Sequence, residues 1–105
     1  MTNAISKTRR RLLPPRGLST EARQLWFRIV DEYVLDDGAS QTLLGELCFA
    51  LDGLRRCQKE IAADGMIVEG SRGQRRAHPL LTVENEYRRQ LLAAVRALRL
   101  DIAMD

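Results

Sequence analysis

Few of the residues that most catalysis draws on are present in this chain. Among 105 residues there are one histidine, two cysteines, three prolines and five aromatic side chains. A lone imidazole without clustered cysteines argues against a zinc site, so neither a metal nor another cofactor is expected. No Gly-x-x-x-x-Gly-Lys phosphate loop occurs. Asp36-Asp37 is followed by Gly38, which reads as a helix stop rather than a metal pair. Glu84 and Glu86 fall at the start of a helical pattern, where the helix dipole accounts for acids without any reaction. Ser71 has no base near it in sequence, and His78 sits in a His-Pro corner as a structural histidine. The expectation is a protein that is not an enzyme. No apolar run reaches the roughly 20 residues of a membrane helix, and no signal-peptide core is seen, so neither a membrane position nor export by that route is predicted.

Cys48 and Cys57 fall in one predicted helix, nine residues apart and half a turn out of phase. At 1.5 Å per residue they stand roughly 13.5 Å apart along its axis. That is too far to bridge, so they read as buried thiols in a reducing cytoplasm.

What the chain does have is helix-forming residues and an uneven charge. Leu, Ala, Arg and Glu dominate, and the net charge is +3. Residues 1–17 hold Lys7, Arg9, Arg10, Arg11 and Arg16, no acid, and the Pro14-Pro15 break. They are expected to be a flexible, disordered basic arm, leaving 18–105 as one helical domain. A domain of that size buries only about 60–65% of its unfolded surface and gains from self-association.

Three amphipathic patterns follow. The first opens at Ser19, an N-cap, and carries Ala22, Leu25, Trp26, Ile29, Val30, Tyr33 and Val34 on one face. Asp36-Asp37-Gly38 is expected to end it. The second runs from about Ser40 to Asp64, with Leu43, Leu44, Leu47, Leu51, Leu54 and Ile61 in one stripe and Ala50, Gly53 and Cys57 as a lane of small residues beside it. Gly65 is its expected left-handed terminator. The third opens near Pro79 or Thr82 and places Leu80, Val83, Tyr87, Leu91, Ala94, Val95 and Leu98 together, with Ile102 a possible continuation. Between the second and third patterns, Met66-Ile67-Val68-Glu69 and Gln74-Arg75-Arg76-Ala77 flank a Gly-Ser-Arg-Gly centre, the pattern of a small hairpin with cations at its tip. The predicted fold is mainly α: an antiparallel helix pair, a short β-hairpin and a C-terminal helix.

Phe49 projects away from the leucine stripe into the company of Glu46, Arg56 and Glu60. An aromatic there needs a cover, either a neighbouring subunit or, within the same chain, Leu12 and Leu13 or the hairpin. Phe49, Gly53, Cys57 and Val68 are the candidate oligomer contacts. Lys7, Arg9, Arg10, Arg11, Arg16, Arg72, Arg75 and Arg76 are the candidate DNA contacts, because flexible cations neutralise phosphates. A single copy binding through so few charges would be weak, whereas a closed ring repeats the patch around an axis. A helix–turn–helix reader, acting as a dimeric transcription regulator, is the alternative. Against it, the second helix would present Ser40, Gln41, Thr42 and Glu46 in its first turns and no cation before Arg55. A helical adaptor that binds only protein is a further possibility.

The order Pro14-Pro15, Leu18-Ser19, Trp26, a long helix with Cys48 and Leu51, Asp64-Gly65, Val68-Glu69-Gly70-Ser71-Arg72-Gly73-Gln74, His78-Pro79, Glu84 and Arg88-Arg89 resembles the small terminase subunits of tailed phages, the P27-like family. The resemblance covers residues 14–100. It implies a non-catalytic part of a viral packaging motor in the host bacterial cytoplasm. Such proteins form ring-shaped homo-oligomers, engage viral double-stranded DNA at packaging initiation and pass it to the large terminase subunit, which holds the ATPase and nuclease. An HNH endonuclease encoded nearby is a further implied partner.

Overall fold

The computed structural model describes residues 12–100. Helix α1 spans Thr20–Glu32, α2 Gly38–Asp64 and α3 Leu80–Ala97, and strands β1 (Ile67–Glu69) and β2 (Arg75–Ala77) lie between α2 and α3. The mainly helical fold with one antiparallel hairpin is the one expected.

The unbroken α2 of 27 residues is the spine. At 1.5 Å per residue it is roughly 40 Å long. Asp37 caps its start by accepting from the Ser40 N–H at 3.3 Å, and hydrogen bonding to the Ser40 side chain first, with that N–H after it, holds the Asp37 carboxyl below its ordinary pKa. Gly65 ends it at φ 86°, ψ 157°. The positive φ is the one a glycine was expected to supply, but ψ is extended, so the chain leaves straight into β1 rather than turning through the left-handed helical region.

Helix α1 runs antiparallel to the first half of α2: Ser19 meets Asp52, the Ala22 carbonyl accepts from the Cys48 thiol at 3.6 Å, and the Leu35 carbonyl accepts from the Gln41 amide at 3.2 Å. The third helix returns along α2, with His78 beside Asp64 and Tyr87 over Gly53. Ala22, Trp26, Ile29, Leu44, Leu47, Cys48, Leu51, Leu54, Leu91 and Ala94 form the shared core. Desolvation in that core, reinforced by the Asp52 charge, pushes the Cys48 thiol up to a pKa of about 12.

Three expected boundaries move. Helix α1 stops at Glu32, because Tyr33 adopts an extended conformation at φ −125°, ψ 150°. Val34, assigned by periodicity to the buried face, consequently points outward and is 68% exposed. Asp36-Asp37-Gly38 therefore starts the second helix instead of ending the first, since an aspartate one residue before the helix satisfies its free N–H groups. The packed body also takes in Leu12, ahead of the expected start at Leu18: the Trp26 indole N–H donates to the Leu12 carbonyl at 2.8 Å, and Leu12 and Leu18 pack against the core. Residues 12–17, assigned to the basic arm, thus lie along the body, with the Pro15 ring beside Gly45.

Candidate nucleic-acid interface

The hairpin pairs Ile67 with Ala77, Val68 with Arg76 and Glu69 with Arg75. Neighbours along a strand face opposite ways, so Arg75 and Arg76 emerge on different faces of the ribbon. Arg72 stands in the loop between the strands. All three arginines are exposed, and none makes an ion pair among the described residues.

The loop is internally braced. The Gly70 N–H donates to the Gln74 carbonyl at 2.7 Å and the Gly73 N–H to the Gly70 carbonyl at 3.0 Å. The Gln74 side-chain oxygen accepts from the Arg72 N–H at 3.0 Å. A Cβ at Gly70 would stand 2.6 Å from the Gln74 amide nitrogen, so that glycine makes room for the brace. Gly73 supplies the positive φ, 79°, that closes the turn.

His78 fastens this ribbon to the body. Its backbone N–H donates to the Met66 carbonyl at 2.7 Å. Its Nδ1 accepts from the Leu80 N–H at 3.0 Å, and its Nε2 lies 2.9 Å from an Asp64 carboxylate oxygen. A ring nitrogen that accepts carries no proton, so Nε2 holds the hydrogen and donates to Asp64. One buried residue, through its side chain and its backbone N–H, thereby joins the end of α2, the hairpin and the start of α3, the structural role expected of it.

Arg16 is exposed on the lead-in segment, next to Pro15 at Gly45. The hairpin leaves the opposite end of α2, so Arg16 is not brought together with Arg72, Arg75 and Arg76. Nineteen residues separate Gly45 from Asp64, roughly 28 Å along the helix. Lys7, Arg9, Arg10 and Arg11 lie outside the described residues.

Of the candidate subunit contacts, Phe49 is 43% exposed. At Gly53 a Cβ would stand 2.7 Å from Tyr87 Cδ1 and nearer still to Cε1 and Cζ, so α3 of the same chain makes a close approach there. Cys57 is buried too. What remains open of that lane is a groove of about 470 Å³ lined by Gly53, Cys57, Leu80, Val83 and Tyr87, with Arg56, Lys59 and Glu60 at its rim. Val68 is half-buried opposite Arg76.

One buried acid escaped the reading of the sequence. Asp52 accepts from both the backbone N–H of Ser19, at 2.8 Å, and the Ser19 hydroxyl, while that hydroxyl accepts from the Ala22 N–H at 3.1 Å. A carboxylate on α2 thus holds the cap of α1. Its only sequence signal is an acid within an apolar stripe, between Leu51 and Gly53. At the surface, the Arg55 guanidinium grips the Glu21 carboxylate through Nε at 3.0 Å and Nη2 at 3.0 Å, which raises the Arg55 pKa further.

Among the described residues no cluster of three or more His, Cys, Asp or Glu side chains is arranged to hold a metal ion, and no helix is long and apolar enough to cross a membrane. The geometry defines a small helical protein whose outstanding surface feature is a braced, cation-bearing β-ribbon projecting from the end of a long helix. Residues 22–104 match the family described as phage terminase, small subunit, and the chain belongs to that family. No curated protein and no solved structure matches it. Membership assigns it a part in phage DNA packaging, in a family that is generally non-catalytic.

Proposed function

We propose that the protein is the non-catalytic DNA-engaging component of a packaging motor. As a ring of identical copies it binds viral double-stranded DNA at packaging initiation and presents it to the large terminase subunit, whose ATPase and nuclease it regulates. An HNH endonuclease acting on the same DNA is a further partner in this reading. The observation that carries the proposal is the hairpin: in a chain of the terminase small-subunit family, three arginines stand exposed on a braced support with no carboxylate paired to them among the described residues. Repeated around an axis, such ribbons become a continuous cationic surface that tracks phosphates.

Folded body and basic segment are assigned separate tasks. The body, from Leu12 onward, carries the subunit contacts, with Phe49 and Val68 among them. Lys7, Arg9, Arg10 and Arg11 add phosphate contacts from the N-terminal segment, and Arg16 extends them along the lead-in. Recognition rests on DNA shape and bending more than on base hydrogen bonds.

Native mass spectrometry with and without viral terminal DNA tests the assembly. Closed rings that take up the duplex are expected, with ATPase stimulation only when the large subunit is also present. A dimer on a palindromic site would replace this reading with transcriptional regulation. A monomer indifferent to DNA would leave a protein-binding adaptor.

A further inference from the structure

The groove between α2 and α3 has a floor of Cys57, Leu80, Val83 and Tyr87, and its rim carries two cations, Arg56 and Lys59, against one acid, Glu60, which leaves it net positive. Neither cation makes an ion pair among the described residues. Val83, within the floor, remains 40% exposed. Apolar surface framed by unpaired charge is the profile of a docking site for a segment of opposite charge with an apolar side chain at its centre.

Such a segment exists at the other end of the molecule. Between α1 and α2 the chain runs Tyr33-Val34-Leu35-Asp36-Asp37, directly after Asp31 and Glu32. Burial alternates along it: Tyr33 and Leu35 pack against the core, whereas Val34 and Asp36 are exposed. The linker is held in that form, with the Tyr33 N–H bonded to the Ile29 carbonyl at 2.9 Å and the Gln41 amide bonded to the Leu35 carbonyl. Asp36 makes no ion pair among the described residues. A valine and an aspartate therefore project side by side from an ordered, acidic edge.

The linker and the groove cannot meet within one copy. Gly38 and Cys57 lie 19 residues apart on one continuous helix, roughly 28 Å along its axis. Only a second copy can bring them together. We propose that the α2–α3 groove receives the α1–α2 linker of another copy of this chain, with Val34 inserted between Val83 and Tyr87 and Asp36 facing Lys59 and Arg56. Because donor and acceptor occupy opposite ends of α2, a copy that donates its linker to one neighbour keeps its groove free for a second, so the proposed contact is head-to-tail and extends from copy to copy. The assignment rests on the self-assembly in the proposed function and supplies the surfaces for it. Phe49, one helical turn before Gly53, continues the apolar floor towards the incoming copy.

Two surface variants test it by complementation. Val34→Glu spoils the donor and leaves the groove intact; Val83→Glu spoils the groove and leaves the donor. Each alone is expected to run as a monomer of 11.9 kDa with unchanged helical circular dichroism. Mixed in equal amounts, they still share one good donor and one good groove, so a 1:1 dimer forms and growth stops there. The reciprocal charge change gives a second readout: Asp36→Lys or Lys59→Glu alone lowers assembly mass, and the two combined in one chain restore it. Variants that assemble as the wild type does, or a mixture that stays monomeric, overturn the groove assignment. A wild-type protein that is itself monomeric overturns the ring reading as a whole.

Discussion

Tyr87 occupies the place that a side chain at position 53 would take: any Cβ there would fall 2.7 Å from its Cδ1. The α2–α3 contact is therefore set by the absence of one methyl group. Gly53→Ala gains up to about 1 kcal/mol in helix propensity, while forced overpacking costs about 1–3 kcal/mol. The overpacking term dominates, and urea denaturation is expected to show a net loss of stability. Restoring room with Tyr87→Leu in the Gly53→Ala background should recover part of it, because the two sites are in direct contact.

Asp52 and Ser19 form a second such pair. Asp52→Ala leaves the Ser19 N–H and hydroxyl without their acceptor inside a part-buried site, a change that costs about 1–3 kcal/mol. Ser19→Ala removes only a capping hydroxyl, worth about 1 kcal/mol. The double variant is expected to lose less than the two single losses combined, and a thermal-denaturation cycle measures the difference. Equal, additive losses would show that Asp52 acts elsewhere.

The Cys48 thiol links stability to alkaline pH. Its pKa rises from 9.0 to about 12 on folding, first through burial and then through the Asp52 charge. Between these values the unfolded chain releases the proton while the folded chain keeps it. Stability therefore falls as pH climbs from 9 towards 12, by up to about 1.4 kcal/mol per pH unit from this group. Cys48→Ala is expected to flatten that part of the profile relative to the wild type. The same burial should keep Cys48 unreactive to a thiol reagent at pH 8 until the protein unfolds.

Replacing His78 by alanine removes its side-chain bonds to Asp64 and to the Leu80 N–H, which join the ends of α2 and α3 at the base of the hairpin, and leaves its backbone bond to Met66 in place. A loss of about 1–3 kcal/mol is expected, concentrated locally. Hydrogen exchange should quicken in residues 66–80 well before the core amides of α2 respond. Uniform acceleration along the chain would mean that the histidine supports the fold as a whole.

For DNA affinity, Arg72→Ala, Arg75→Ala and Arg76→Ala should each weaken binding without altering helix content. Every phosphate left without its cation lowers the slope of log affinity against log salt by about 0.9. Because Arg75 and Arg76 face opposite ways, one of the two is expected to account for most of the effect. Gln74→Ala should weaken binding as well, through a loosened Arg72 loop, while leaving every cation in place. Deleting residues 1–11 tests the basic segment separately; an unchanged slope would remove it from the interface.

Much of this architecture was legible in the residues. The apolar spacing of all three helices, the hairpin at Ile67–Ala77 and the buried Trp26 and His78 follow from period, turn chemistry and side-chain type. The errors have physical causes. Periodicity carries Tyr33 and Val34 onto the α1 face because it registers polarity, and an extended segment can bury alternate residues just as well. Glycine at position 53 signals close approach but not whose ring approaches; the ring of Tyr87 from α3 is found there. The Asp52–Ser19 bond joins residues 33 apart in sequence, a separation at which neither spacing nor propensity says anything. The groove beside Val83 depends on how two helices lean against each other, which no single stretch of sequence encodes.

An uninterrupted helix of 27 residues without proline makes α2 a ruler rather than a hinge. Of its two interior glycines, Gly45 lies buried beside the Pro15 ring and Gly53 is clamped by an aromatic ring. The spacing between the turn that opens it and the ribbon that leaves it is therefore fixed, and in the assembly proposed above cargo of a different pitch would be met by whole subunits swivelling about their joints, never by the protomer stretching.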